Sequence, residues 1–111
     1  MAAYLIADVH RTDVEQAARY SARSGPSVER HGGHYLARGG TTVTLEGGWE
    51  PDRLVVIEFE TVEAARAWYD SEDYREIRTL REGAGEWRMV IVDGIANPAA
   101  AVADAGFEAA D

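Results

Sequence analysis

The sequence predicts an α+β domain: one antiparallel sheet with helices packed on one of its faces. Three observations carry this. Short β-branched or alternating runs, led by Tyr4 to His10 and Arg53 to Glu60, have the period of strands. Between them lie segments with apolar residues at helical spacing, from Val14 to Val28 and from Val62 to Tyr69. Glycine pairs and helix-capping residues fall at the joints between the two kinds of pattern.

The first strand, YLIADVH, has Leu5, Ala7 and Val9 on an apolar face and Ile6, Asp8 and His10 on a mixed one. Thr12 or Asp13 can cap the helix that follows, with Glu15 and Gln16 in its first turn. Its inner stripe reads Val14, Ala17, Ala18, Ser21, Gly25 and Val28, and Gly25-Pro26 predicts a kink or break. Gly32-Gly33 ends that helix. His34 to Arg38 is then a short strand, and Gly39-Gly40 turns the chain into a second strand or strand extension over Thr41 to Glu46. RLVVIEFE is the strongest strand of all, too short for a helix between its breakers. Thr61 caps a second helix, Ser71 a continuation of it, and Glu86 to Val92 closes the fold as the last strand.

The order is βαββαβ with the second helix split, the ferredoxin-like arrangement. Such a sheet leaves one face uncovered in a single chain. Apolar residues such as Ile6, Val43, Leu45, Val55 and Ile57 are expected on parts of both faces. An uncovered apolar face is an association site, so a twofold homodimer is expected.

The chain's 111 residues suit one domain, placed here over residues 1–96. Residues 97–111, rich in alanine with three acids and one phenylalanine, read as a flexible tail. No apolar run is long enough to span a membrane and no leader pattern is visible, so the cytoplasm is the expected compartment. The net charge of −9 offers no basic surplus for nucleic acid and would be repelled by an acidic membrane surface. Cysteine is absent, which removes thiolate catalysis and cysteine metal sites. Lysine is absent too, which removes Schiff-base chemistry and the phosphate-loop lysine. An all-arginine basic set is most simply codon bias.

The candidate chemistry is sparse. His31 and His34 flank a glycine pair, but a metal site needs three or four ligands in fixed geometry, and His10 is not obviously adjacent; no metal is expected. His31 is a candidate general base because imidazole titrates near neutrality. Arg38 can clamp a carboxylate, either a substrate's or that of Glu58; the plainer alternative is an ion pair that fixes the hairpin. Glu58 is a candidate acid or base if it faces the helices, and a solvated strand residue if it faces outward. Tyr20, Trp68, Tyr69 and Tyr74 are candidates to line a pocket for a planar molecule, or to form a plain aromatic core.

HGGHYLARGG, LEGGWEPDRLVVIEF and EAARAWYDSEDYREIRTLR resemble segments of the bacterial family known as domain of unknown function 1330. Arg38-Gly39-Gly40, Glu46-Gly47, Trp68-Tyr69-Asp70-Ser71 and Tyr74 carry most of the likeness, which covers about residues 3–94. The resemblance implies a subunit of the dimeric α+β barrel superfamily. That superfamily includes cofactor-free monooxygenases, muconolactone isomerases and haem-degrading enzymes. A haem-degrading enzyme would bring histidine, tryptophan and asparagine together, and the sole asparagine is Asn97, at the start of the tail. The chain departs from the family pattern at Asp13-Val14, where Asp-Pro is usual, and at Ala17, where a tyrosine is frequent. The second change either enlarges a pocket or repacks a helix.

The expected function is that of a cofactor-independent enzyme on a small organic metabolite, working by proton transfer, isomerisation, cyclisation or monooxygenation. His31 and Glu58 would move protons, while Arg38, Tyr20, Trp68, Tyr69 and Tyr74 would bind the substrate. The alternative is a non-catalytic dimeric binding or accessory protein whose pocket is a filled core.

Overall fold

The computed structural model describes residues 2–95, so the predicted tail over 97–111 lies outside the described residues. The elements are β1 (Ala3–Arg11), α1 (Val14–Arg30), β2 (His34–Arg38), β3 (Arg53–Phe59), α2 (Val62–Asp70), α3 (Glu72–Arg78), a 3₁₀ turn (Thr79–Arg81) and β4 (Gly85–Asp93). The sheet runs β2-β3-β1-β4 with every neighbour antiparallel, which is the ferredoxin-like order.

Local chemistry sets the ends of the helices. Asp13, Thr61 and Ser71 each accept a hydrogen bond from the backbone N–H three residues on, at Gln16, Ala64 and Tyr74. Burial then follows the strand period. Ala3, Leu5, Ala7 and Val9 of β1 are buried toward the helices. Leu5 pairs with Ile57 and Ala3 with Phe59, so Ile57 and Phe59 share that face. Trp68, Tyr74, Phe59, Leu5 and Ile77 are the largest side chains enclosed between sheet and helices.

Four expectations are corrected. The break at Gly25-Pro26 does not occur, and α1 runs unbroken through both residues. Proline removes one intrahelical donor, and burial of the flanking Ser24, Gly25, Ser27 and Val28 holds the helix through that loss. Thr41 to Glu46 is not a strand but part of the irregular Gly39–Asp52 connection, with Val43 79% and Leu45 89% exposed. The outer sides of β2 and β4 stay unpaired among the described residues, and the segment joins neither, so period alone does not make a ladder. The inner stripe of α1 is corrected in part: Ala17, Gly25 and Val28 are buried as expected and are joined by Tyr20, Ser24 and Ser27, while Val14 stands exposed at the helix start.

The fourth correction concerns the uncovered face of the sheet. Val55 and Ile57 belong to the helix side. The uncovered face carries Ile6 between Val56 and Val90, with Leu54 and Val92 beside them and Asp8 paired to Arg88. Val90 and Val92 are exposed there, so the apolar face that motivated a dimer exists, with Ile6 on it as expected and Val56, Val90 and Val92 as its further members.

Candidate functional site

A cavity of about 520 Å³ lies between α1 and the sheet. Its floor is the inner face of β1 and β3, with Leu5, Ala7, Val55 and Ile57. Its roof is the side of α1 that carries Val14, Ala17, Ala18 and Ser21. Ala17 is buried in that roof, and a larger side chain there would intrude on the space.

Three arginines stand at one end of this cavity. Arg11 closes β1, Arg38 closes β2 and Arg53 opens β3, and all three are in the wall. Strand register explains the convergence. Val9 pairs with Arg53 and Arg38 pairs with Val55, which sets the three arginines at the same end of the sheet on its helix side. Among the described residues the wall contains no carboxylate and no histidine.

The three guanidinium groups differ in partnership. Arg11 holds Asp52 with Nε and Nη2, each 3.0 Å from a carboxylate oxygen, and its backbone N–H donates to the same carboxylate at 2.9 Å. These bonds hold the Asp52 carboxyl well below the usual carboxylate range. Arg38 has no acid partner among the described residues. Its Nη2 donates to the Ser21 carbonyl of α1 at 2.8 Å, and its guanidinium carbon lies 4.2 Å from the centre of the Tyr35 ring. Gly25 makes room for it, since a Cβ there would come 3.1 Å from Arg38 Nη1. Arg53 is half-buried and packs beside Gly39. Burial first, and then the like charges of Arg11 and Arg38, make its protonated form less favourable than in water. The end of the cavity is thus positively charged and short of counter-charge, a setting that attracts an organic anion.

The aromatic candidates divide in two. Tyr20 and Trp68 are in the cavity wall. Tyr69 and Tyr74 are not; they pack behind. The Tyr20 and Tyr74 hydroxyls meet at 2.5 Å inside the core, and burial pushes both groups up from the ordinary phenol value. Both are therefore neutral at physiological pH. Trp68 donates from Nε1 to Ser27 Oγ at 3.0 Å and stacks on Tyr74 with ring centres 4.1 Å apart. Tyr69 sits under Arg78, 4.3 Å from ring centre to guanidinium carbon.

The two expected proton-transfer residues are elsewhere. Glu58 pairs with Tyr4 and His34 on the uncovered face of the sheet, so it neither enters the cavity nor partners Arg38. Strand alternation causes this, because Ile57 and Phe59 take the inner positions on either side of it. His31 is the C-cap of α1 with Nδ1 2.9 Å from the Ser27 carbonyl, and it is absent from the cavity wall. Sequence reading missed Arg11 and Arg53. The signal was available: each continues the inner alternation of its strand, Arg11 after Ala7 and Val9, and Arg53 before Val55 and Ile57.

No curated protein matches the chain in sequence. Among solved structures, a protein of unknown function from Rhodopseudomonas palustris aligns with a TM-score of 0.71 at 22% identity, covering 86% of this chain and 84% of its own. A dimeric ferredoxin-like protein of unknown function from Thermobifida fusca aligns at 0.53 and 16% identity, covering 85% and 92%. SnoaB, a cofactor-independent oxygenase from Streptomyces nogalater, aligns at 0.55 and 12% identity, covering 86% and 93%. At these identities the likeness establishes a shared fold. The family model described as Domain of unknown function (DUF1330) matches residues 2–95, and the chain belongs to that family.

Proposed function

We propose that the chain is a homodimer whose subunits each bind a small organic anion in the cavity beneath α1 and transform it without a cofactor. One observation carries the reading: an apolar cavity with three arginines at one end and no carboxylate in its described wall. Arg38 and Arg53, which have no acid partner among the described residues, would take the anionic group. Trp68, Tyr20 and the aliphatic floor would take an apolar or aromatic body. The dimer rests on the apolar uncovered face and on the dimeric state given for the T. fusca protein.

The wall has no residue that titrates near neutrality, so the fitting chemistry is one in which the substrate supplies its own acidity. An enolate or phenolate that has given its proton to water is stabilised by the charge of two arginines; isomerisation or cyclisation can start from such an anion, and so can oxygen insertion with dioxygen as the oxidant. The fold likeness to a cofactor-independent oxygenase agrees with this class by analogy. The same wall also favours a second reading, a binding protein that returns its ligand unchanged.

A panel of hydroxylated aromatic carboxylates, followed by ligand-observed NMR, tests the proposal. Saturable binding is expected, weakened roughly tenfold or more in Arg38→Met and in Arg53→Met, since each loses a charge-assisted contact. Undiminished binding in both variants would refute the site. Conversion of a bound ligand over hours supports the enzyme, and quantitative recovery of every ligand supports the carrier.

A further inference from the structure

A second group of arginines lies outside that cavity. Arg75 and Arg78 of α3 and Arg81 of the 3₁₀ turn are spaced three residues apart and follow one side of the continuous turn. They border a separate cavity of about 540 Å³, closed by Trp87 at the start of β4. None of the three takes part in an ion pair among the described residues, in a chain with 20 acids. Among the described residues Glu82 is the one acid in the wall, so three positive charges face one negative and leave a surplus of two.

Two of these side chains are held in place before any ligand arrives. Arg78 stacks on Tyr69 at 4.3 Å and on Tyr74 at 5.4 Å. Arg81 stacks on Trp87 at 4.8 Å and on Tyr20 at 5.2 Å. Their Nη1 atoms are buried without a hydrogen-bond partner among the described residues, while each residue as a whole is partly buried and reaches solvent. A guanidinium packed on aromatic rings has already lost most of its rotational freedom, so little more is lost when it binds. Keeping two such groups side by side without counter-charge is unfavourable in the empty protein, and an anion relieves it.

We propose that this cavity is a second anion site, distinct from the one beneath α1, that takes a doubly charged phosphoryl group. The surplus of two charges matches a dianion, and three guanidinium forks suit an ion with several equivalent oxygens better than a single carboxylate. Free phosphate and a phosphate monoester share this chemistry. Trp87 belongs to the wall of both cavities, so its indole fluorescence reports on either, and variants of each arginine group tell the two sites apart.

Tryptophan fluorescence of the whole protein, titrated with inorganic phosphate and with phenyl phosphate against chloride at matched ionic strength, tests this. Saturation is expected with a dissociation constant near or below roughly 1 mM. Tighter binding of phenyl phosphate marks a monoester site, and equal binding marks a site for the free ion; either supports the proposal. Arg75→Gln and Arg78→Gln should each weaken binding about tenfold, while a double Arg38→Gln, Arg53→Gln variant should leave it unchanged. Arg75 makes none of the aromatic stacks, so its variant tests the site without disturbing the core. A response no larger than that to chloride would overturn the proposal, as would a loss confined to the Arg38, Arg53 variant.

Discussion

Removing one oxygen from the core should cost far more than its size suggests. Ser27 is fully buried on α1, and its Oγ accepts the indole N–H of Trp68 at 3.0 Å while donating to the Ser24 carbonyl at 2.8 Å. Trp68 is 1% exposed, so no water can replace the lost acceptor. Ser27→Ala therefore leaves a buried donor unpaired, at about 1–3 kcal/mol. The Ser24 carbonyl is a helix carbonyl and keeps its backbone bonding, so it adds little. For a domain of this size, a loss of about 2 kcal/mol lowers the melting temperature by roughly 10 °C. The decisive comparison is a double-mutant cycle. Trp68→Phe is destabilising through lost volume, but it also removes the donor, so Ser27→Ala on that background should cost under about 0.5 kcal/mol. Urea unfolding of the four proteins at one protomer concentration measures the coupling, since the proposed dimer would make stability depend on concentration. Equal costs of Ser27→Ala on the two backgrounds would refute the reasoning, because the indole N–H would then not need that hydroxyl.

Two further predictions concern charge and assembly. Burial raises Tyr20 and Tyr74 above the ordinary phenol value, so on raising the pH the unfolded chain releases these protons first. Stability should hold up to about pH 10 and fall beyond it, and Tyr20→Phe should make that fall shallower; an identical slope of urea midpoint against pH in wild type and variant would exclude the pair as its source. Val90 is 61% exposed on the uncovered sheet face, on edge strand β4 beside Ile6, so Val90→Arg should give a folded monomer. Light scattering at micromolar concentration checks this, and a monomer mass for the unaltered protein would remove the dimer.

Element order, helix caps and the inner alternation of β1 were legible in the residues because each is a short-range property. Asp13, Thr61 and Ser71 cap where their side chains and the following apolar residues say they should. Leu5, Ala7 and Val9 are buried as their period requires. The missing cysteine and lysine also limit the chemistry whatever the fold. The resemblance of the middle segments was likewise readable, and the family match over residues 2–95 agrees with it.

The site was less legible, since it depends on which strands meet and in what register. Alternation puts Glu58 on the face opposite Ile57 and Phe59, but only the pairing of Tyr4 with Glu58 and of Arg38 with Val55 decides that this face lies away from Arg38. Thr41 to Glu46 has a strand's pattern and no partner, so pairing, not period, determined its state. Arg11, Arg38 and Arg53 come from three separate strands and became one charged end only when the sheet aligned them. The sequence by itself therefore determined an α+β domain of ordered elements with a restricted chemistry, because propensity, caps and period act over a few residues. Tertiary structure alone decided that three arginines share a cavity while His31 and Glu58 do not, because that outcome depends on strand register between residues far apart in the chain.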